Sequence, residues 1–169
     1  FTDDAVWTIV ILSRGLPFFT QTLSKLAALT ALENKRLLVD NSDVEVAMTR
    51  FVEDTAVTFR DAYRAATRTN QKSNLQESLL ACALARCDDE GFFKATDLVE
   101  PLSAIMKDKR RIAHFDKHLR RFSSDDGGNI LVKRGGERQQ IFRFADPMMQ
   151  PYVIIRGIQS GMIDESAKT

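Results

Sequence analysis

The sequence predicts a mainly α chain in two parts, a helical subdomain over 1–70 and a second unit over 74–162 whose helices are closed by a two-stranded β hairpin. Three observations carry this. Apolar residues recur at helical spacing through Ala66. The polar segment "RTNQKSN", 68–74, then interrupts them. Only near residue 130 does the period change to two: Ile130 and Val132, then Phe142 and Phe144, flank Gly135-Gly136, a hairpin signature.

The elements follow in order. Thr2 suits the N-cap of a helix over 3–12, with Val6, Ile9 and Val10 on one side. In "SRGLPFF", 13–19, Gly15 can take the left-handed conformation that ends a helix, and Pro17 suits the first turn of the next. Phe19, Leu23, Leu26 and Thr30 carry that second helix to about Glu33. Ser42 and Glu45 have capping-box spacing. They open a long helix, with room for a break, whose face holds Val44, Met48, Phe51, Thr55, Phe59, Ala62 and Ala66.

Beyond the polar segment, Asn74 and Glu77 repeat the capping signal, and Leu75, Leu79 and Ala83 continue a helix to about Arg86. "GFFKA" reads as a short strand and "PLSAIMK" as a short helix. Ile112, Phe115, Leu119 and Phe122 mark the buried face of another. After the hairpin, a last helix follows Pro147 or Pro151 and stops near Gly161. Helix, strand, helix, helix, hairpin, helix is the order of a winged helix, a helix-turn-helix variant.

At 169 residues, with 44% hydrophobic and 28% charged, the chain has the composition of a packed soluble protein. No apolar run is long enough to span a bilayer and no signal-peptide pattern opens the chain, so a cytoplasmic location without membrane contact is expected. The first residue is Phe, which fits a segment of a longer protein. Cys82 and Cys87 lie on different helix faces with no second pair, so they read as plain thiols rather than zinc ligands. No metal site, Ser/His/Asp or Cys/His constellation, or carboxylate pair stands out, and no catalytic activity is expected of this segment.

The net charge of +1 conceals a polarity. Residues 1–62 carry nine acids against six bases, whereas "KDKRRIAHFDKHLRR", 107–121, carries seven bases against two acids. With Ile112 at zero degrees and an advance of about 100° per residue, Ile112, Phe115, Leu119 and Phe122 fall within one arc, the opposite arc holds Ala113, His114, Lys117, Arg120 and Arg121, and His118 lies on the flank. Arg110 and Arg111 precede the helix, and Lys133, Arg134 and Arg138 surround the Gly135-Gly136 turn. Cations opposite a core stripe suit a major groove, where they reach phosphates and guanine edges. A solvated charge run is the plainer reading of the helix alone. Two cationic elements that a winged helix places side by side favour DNA. The interaction sites expected are therefore Arg110, Arg111, His114, Lys117, Arg120, Arg121, Lys133, Arg134 and Arg138.

Two motifs carry a family resemblance. "SRGLP" resembles the S-R-G-x-P of the lid subdomain in bacterial and archaeal AAA+ ATPases of the origin-recognition and Holliday-junction-motor type. "NILVKRGGERQQIFRFADPMMQPYVIIRG" resembles the wing and last helix of the winged helix that follows that lid. The resemblance implies the C-terminal, non-catalytic region of a prokaryotic AAA+ ATPase, with ATP and magnesium bound by the parent chain and none held here. It implies as partners double-stranded DNA, the chain's own ATPase core and neighbouring subunits. No Walker A pattern, G-x-x-x-x-G-K-[ST], occurs among the eight glycines. The family's sensor arginine position, G-x-x-R, is Phe18 here. Arg14 is the one nearby cation, suited to its own helix end and, as a lesser reading, to a nucleotide phosphate. Trp7, Phe18 and Phe19 read as core or as surface covered by an ATPase core. The competing function is a protein-interaction or oligomerisation module of the same ATPase, without DNA binding.

Overall fold

The computed structural model describes residues 1–54, 57–69, 73–136 and 139–163. The fold is mainly helical with a small three-stranded antiparallel sheet. Its contacts divide the chain into two compact units, one formed by residues 1–57 with the chain from Ile158, the other by 58–157.

The first unit is built on α1 (Asp3–Ser13), α2 (Pro17–Glu33) and α3 (Asn41–Asp54). Thr2 caps α1, its hydroxyl accepting the Ala5 N–H at 3.3 Å. Pro17 opens α2 as its spacing predicts. Between them both Arg14 (φ 50°) and Gly15 (φ 76°) are left-handed, so the turn takes two such residues and the helix cap is Arg14 rather than the glycine. Phe19 and Phe51 meet in the core with ring centroids 5.0 Å apart, and Phe18 lies against their edge. The Thr8 hydroxyl donates to Asn41 Oδ1 at 2.7 Å and ties α1 to the start of α3.

Asp40 and Asp43, not Ser42 and Glu45, organise the start of α3. Asp40 Oδ1 accepts the Ser42 N–H at 2.9 Å, and Asp43 Oδ2 accepts the Asp40 N–H at 3.0 Å. That is the reciprocal capping box displaced by two residues. Arg36 pairs with both carboxylates, at 2.9 Å to Asp40, which lets two acids share one helix end. The Ser42 hydrogen bonds and the Arg36 charge hold the Asp40 carboxyl below its ordinary pKa.

The apolar face of α1 is divided. Ile9 is buried, but Val6, Val10 and Trp7 are exposed, Trp7 by 65%. Phe19 is wholly buried while Phe18 is 41% exposed.

The second unit contains α4 (Val57–Thr67), α5 (Leu75–Leu84), β1 (Phe93–Lys94), α6 (Val99–Met106), α7 (Asp116–Phe122), β2 (Leu131–Arg134), β3 (Ile141–Phe144) and most of α8 (Met149–Gln159). The long helix expected from residue 42 is thus α3 and α4, and Thr55 lies outside the described residues. The division falls at the first residue of α4, one helix earlier than the 68–74 segment, of which 70–72 lie outside the described residues. Two aromatic contacts explain why α4 groups with this unit: Phe59 and Tyr63 pack on Tyr152 of α8 at 5.7 and 6.0 Å. Asn74 stands at the N-cap of α5 but makes no capping hydrogen bond.

The sheet order is β1-β3-β2. The hairpin expected around Gly135-Gly136 is β2 and β3, and "GFFKA" supplies a third strand on the far side of β3, with Phe93 opposite Phe142. Phe93 and Phe142 stack at 6.2 Å. With Leu79, Leu80, Leu98, Leu119, Phe122 and Ile155 they are buried core. Where α8 approaches Leu80 there is no room for a side chain: a Cβ on Gly157 would lie 2.7 Å from both Leu80 methyls.

Candidate nucleic-acid interface

The basic segment is two elements rather than one helix. A 3-10 turn spans Ile112–His114 and α7 begins only at Asp116. Phe115, Leu119 and Phe122 are buried as their spacing predicts, but Ile112 is 37% exposed. The helical path is interrupted at Phe115 (φ −131°), between this turn and α7, so Ile112 does not continue the α7 stripe. Arg111, His114, Lys117 and Arg120 are all exposed. His114 Nδ1 accepts the Arg111 N–H at 3.3 Å, which folds these two residues onto one turn. Arg120 pairs with Asp116 at 2.6 Å across one turn of α7. Such exposed i,i+4 pairs contribute only about 0.3–0.5 kcal/mol, so the pair leaves Arg120 recruitable by a phosphate. Arg110 is different. It is half-buried, 3.6 Å from Asp108, and its Nε has no partner among the described residues.

Two residues of α7 are engaged within the fold. Arg121 reaches back to the end of α4, donating to the carbonyls of Arg68 (2.9 Å), Ala66 (3.3 Å) and Ala65 (3.5 Å). These belong to the last turn of a helix and the residues after it, where acceptors lack intrahelical donors and the dipole favours a cation. The guanidinium expected in a groove is here a C-terminal cap. His118, placed on the flank by the helical wheel, is buried with its Nδ1 2.7 Å from the Ser78 hydroxyl of α5. Burial holds its imidazole below the ordinary histidine pKa, and the Lys117 and Arg121 charges add to this.

The hairpin separates its two expected cations. Residues alternate faces along a strand, so Lys133 follows Leu131 toward the side of Phe142 and Phe144, while Arg134 shares the opposite face with Val132, Ile141 and Arg143. Arg138 lies outside the described residues. On that opposite face, the Arg134 and Arg143 guanidinium carbons lie 5.0 and 4.8 Å from the centroid of the Phe92 ring. Arg134 also pairs with Glu90 at 3.3 Å. The acidic turn "DDEG" makes this arrangement: Asp88 Oδ1 accepts the N–H groups of Glu90 (3.0 Å) and Phe92 (2.8 Å), and Gly91 closes the turn at φ 80°. Arg143 was not among the expected site residues, although the alternation of "IFRF" identifies its face once the hairpin is accepted.

No protein-family model, curated protein or solved structure matches this chain.

Elsewhere, Arg14 is exposed at its left-handed helix cap. Among the described residues no group of three or more His, Cys, Asp or Glu could hold a metal ion, and no helix is long and apolar enough to cross a membrane. Cys82 is buried in α5, which pushes its thiol pKa up, and Cys87 is exposed. The arrangement can offer charge-assisted donors to an anion. It brings together Arg111 with His114 and Arg134 with Arg143, it ties the part-exposed Arg121 to the end of α4, and it buries His118.

Proposed function

We propose that this chain is the lid and winged-helix region of an AAA+ ATPase of the origin-recognition and Holliday-junction-motor type, and that the winged helix binds double-stranded DNA. The observation that carries the reading is the two-sided basic segment: Phe115, Leu119 and Phe122 anchor it in the core while Arg111, His114, Lys117 and Arg120 face solvent. The helix–strand–helix–helix–hairpin order of the second unit, with β1 added to the hairpin, agrees with it. In the parent chain, ATP and magnesium belong to the ATPase core. Arg14 at the "SRGLP" turn is the candidate to approach a phosphate from the lid.

A protein-contact reading has its own support in the first unit. Trp7, Val6 and Val10 expose one apolar side of α1, a surface suited to the chain's own ATPase core or a neighbouring subunit. It concerns a different unit and does not compete for the basic segment.

The test is a salt titration of duplex binding. About four neutralised phosphates give a slope of log affinity on log salt near −3.6. Arg111→Glu with Lys117→Glu should abolish most of the affinity and leave the fold unchanged, because both side chains are exposed. Salt-insensitive binding, or equal affinity in the double variant, refutes the DNA reading.

A further inference from the structure

We propose that the pairing of α4 with α8 builds an oxyanion site, in which Arg60, Arg64 and Arg156 converge beside the Tyr152 hydroxyl and take free phosphate or the phosphate group of a small monoester. The site lies outside the basic segment and the hairpin, and it does not depend on the DNA reading.

Helical spacing assembles it. Arg60 and Arg64 stand one turn apart on α4 and so share a side of that helix. Phe59 and Tyr63, from the same helix, pack on Tyr152 of α8. Arg156 follows Tyr152 by one turn, and its guanidinium carbon lies 5.7 Å from the centroid of the Tyr63 ring. Such a contact uses the flat face of the guanidinium and leaves its N–H edge free. Burial raises the Tyr152 pKa, and the charges of Arg156, Arg60 and Arg64 act against that rise. Three cations from two helices therefore surround one hydroxyl.

The cluster lacks a counter-charge. Among the described residues no carboxylate forms an ion pair with Arg60, Arg64 or Arg156. Asp61 and Glu77 act on the two tyrosines from beyond pairing distance. The Nε atoms of Arg60 and Arg156 are buried and have no hydrogen-bond partner among those residues. A buried donor without an acceptor is costly, and like charges held together add to the cost. A bound oxyanion relieves both. Its charge and its acceptors decide which kind. A carboxylate brings one charge and two oxygens, whereas a phosphate monoester brings a charge of about −2 and three terminal oxygens, one for each guanidinium fork. The backbone phosphate of duplex DNA is a diester with a single charge, and its strand would have to descend to the half-buried Arg60 and Arg156. Arg64 is exposed and leaves the site open to a small ligand.

Calorimetric titration of the full chain with sodium phosphate in a chloride buffer tests the site. It compares wild type with Arg60→Gln, Arg156→Gln, Arg156→Lys and Lys117→Glu. Wild type should bind phosphate saturably and melt at a higher temperature in its presence. Loss of one charge-assisted donor set in Arg60→Gln or Arg156→Gln should weaken binding by about tenfold or more. Arg156→Lys should lose less, and Lys117→Glu should bind phosphate as wild type does. If Arg156→Gln fails to fold without its Tyr63 contact, Arg60→Gln and Arg64→Gln carry the comparison. Glycerol phosphate binding at least as tightly as inorganic phosphate assigns the site to an ester, and weaker binding assigns it to the free ion; both support the site. Absence of saturable phosphate binding overturns it, as does wild-type affinity in the glutamine variants. Acetate or succinate binding as tightly as phosphate also overturns it. The same holds if duplex DNA displaces phosphate and Arg60→Gln weakens duplex binding as much as Lys117→Glu does, which would make these arginines part of the DNA surface.

Discussion

Replacing Arg121 by alanine should loosen the end of α4 and affect the proposed duplex binding less than Lys117→Glu does. The substitution removes a guanidinium that donates to three carbonyls, at 2.9, 3.3 and 3.5 Å. The first is a good hydrogen bond, the second moderate and the third at the limit of one. A hydrogen bond from a charged group contributes roughly 1.5–3 kcal/mol, and the cation adds about 0.3–1 kcal/mol at a helix C-terminus. Partial solvent exposure of the guanidinium brings the total toward the low end, about 2 kcal/mol. Arg121→Lys keeps the dipole interaction but not the fork and should lose about half of that. Hydrogen exchange reads the effect locally. The Arg68 amide, which donates to the Arg64 carbonyl at 2.8 Å, should exchange about 30-fold faster in Arg121→Ala. Urea unfolding should show a lower midpoint, with duplex affinity changing less than in Lys117→Glu. Unchanged exchange at Arg68 together with a loss of DNA affinity equal to that of Lys117→Glu would refute the capping role.

Two further outcomes follow from the core. His118 is held neutral, its folded pKa below the unfolded value near 6.5, so unfolding takes up a proton between the two; stability should be full above about pH 6.5 and decline as pH falls toward the folded pKa. Urea midpoints against pH should show this decline in wild type and a flatter profile in His118→Gln; an equal decline in both assigns it to other groups. Gly157→Ala should destabilise the second unit by about 1–3 kcal/mol despite alanine's better helix propensity, because its Cβ meets the fully buried Leu80. A double-mutant cycle with Leu80→Val checks it, and a stabilised single variant would show that Leu80 can move aside.

What the sequence made legible was local. Thr2, Pro17 and the Gly135-Gly136 turn act through residues within a few positions of themselves, and they stand where the spacing predicted. The helix start near residue 41 was also visible. Its capping residues were not, because D-x-x-D at Asp40 and S-x-x-E at Ser42 overlap and only Arg36, pairing with both aspartates, decides between them. The basic segment was legible as charge and as a buried stripe, but not in the assignment of each residue. Arg121 finds its acceptors more than fifty positions earlier and His118 meets Ser78 forty positions earlier, separations that a helical wheel does not see. Ile112 left the stripe because the helical path breaks at Phe115, between the 3-10 turn and α7. Arg143 was accessible from alternation alone, yet its ring partner Phe92 lies across the sheet from it.

The middle place of β3 in the sheet sets an order of assembly. Arg134 and Ile141, which close the hairpin, are seven residues apart, whereas Phe93 and Phe142 are separated by forty-nine. Closing the longer loop costs about 1.7 kcal/mol more in chain entropy, and isolated hairpins form within about 1–10 μs. The hairpin can therefore pair early by itself, while β1 must wait for the intervening helices to bring its two residues alongside. Phe92 arrives with β1, and Arg134 and Arg143 arrive with the hairpin. The two cations thus share a face as soon as the hairpin pairs, and they gain the ring beneath them only when β1 docks against β3.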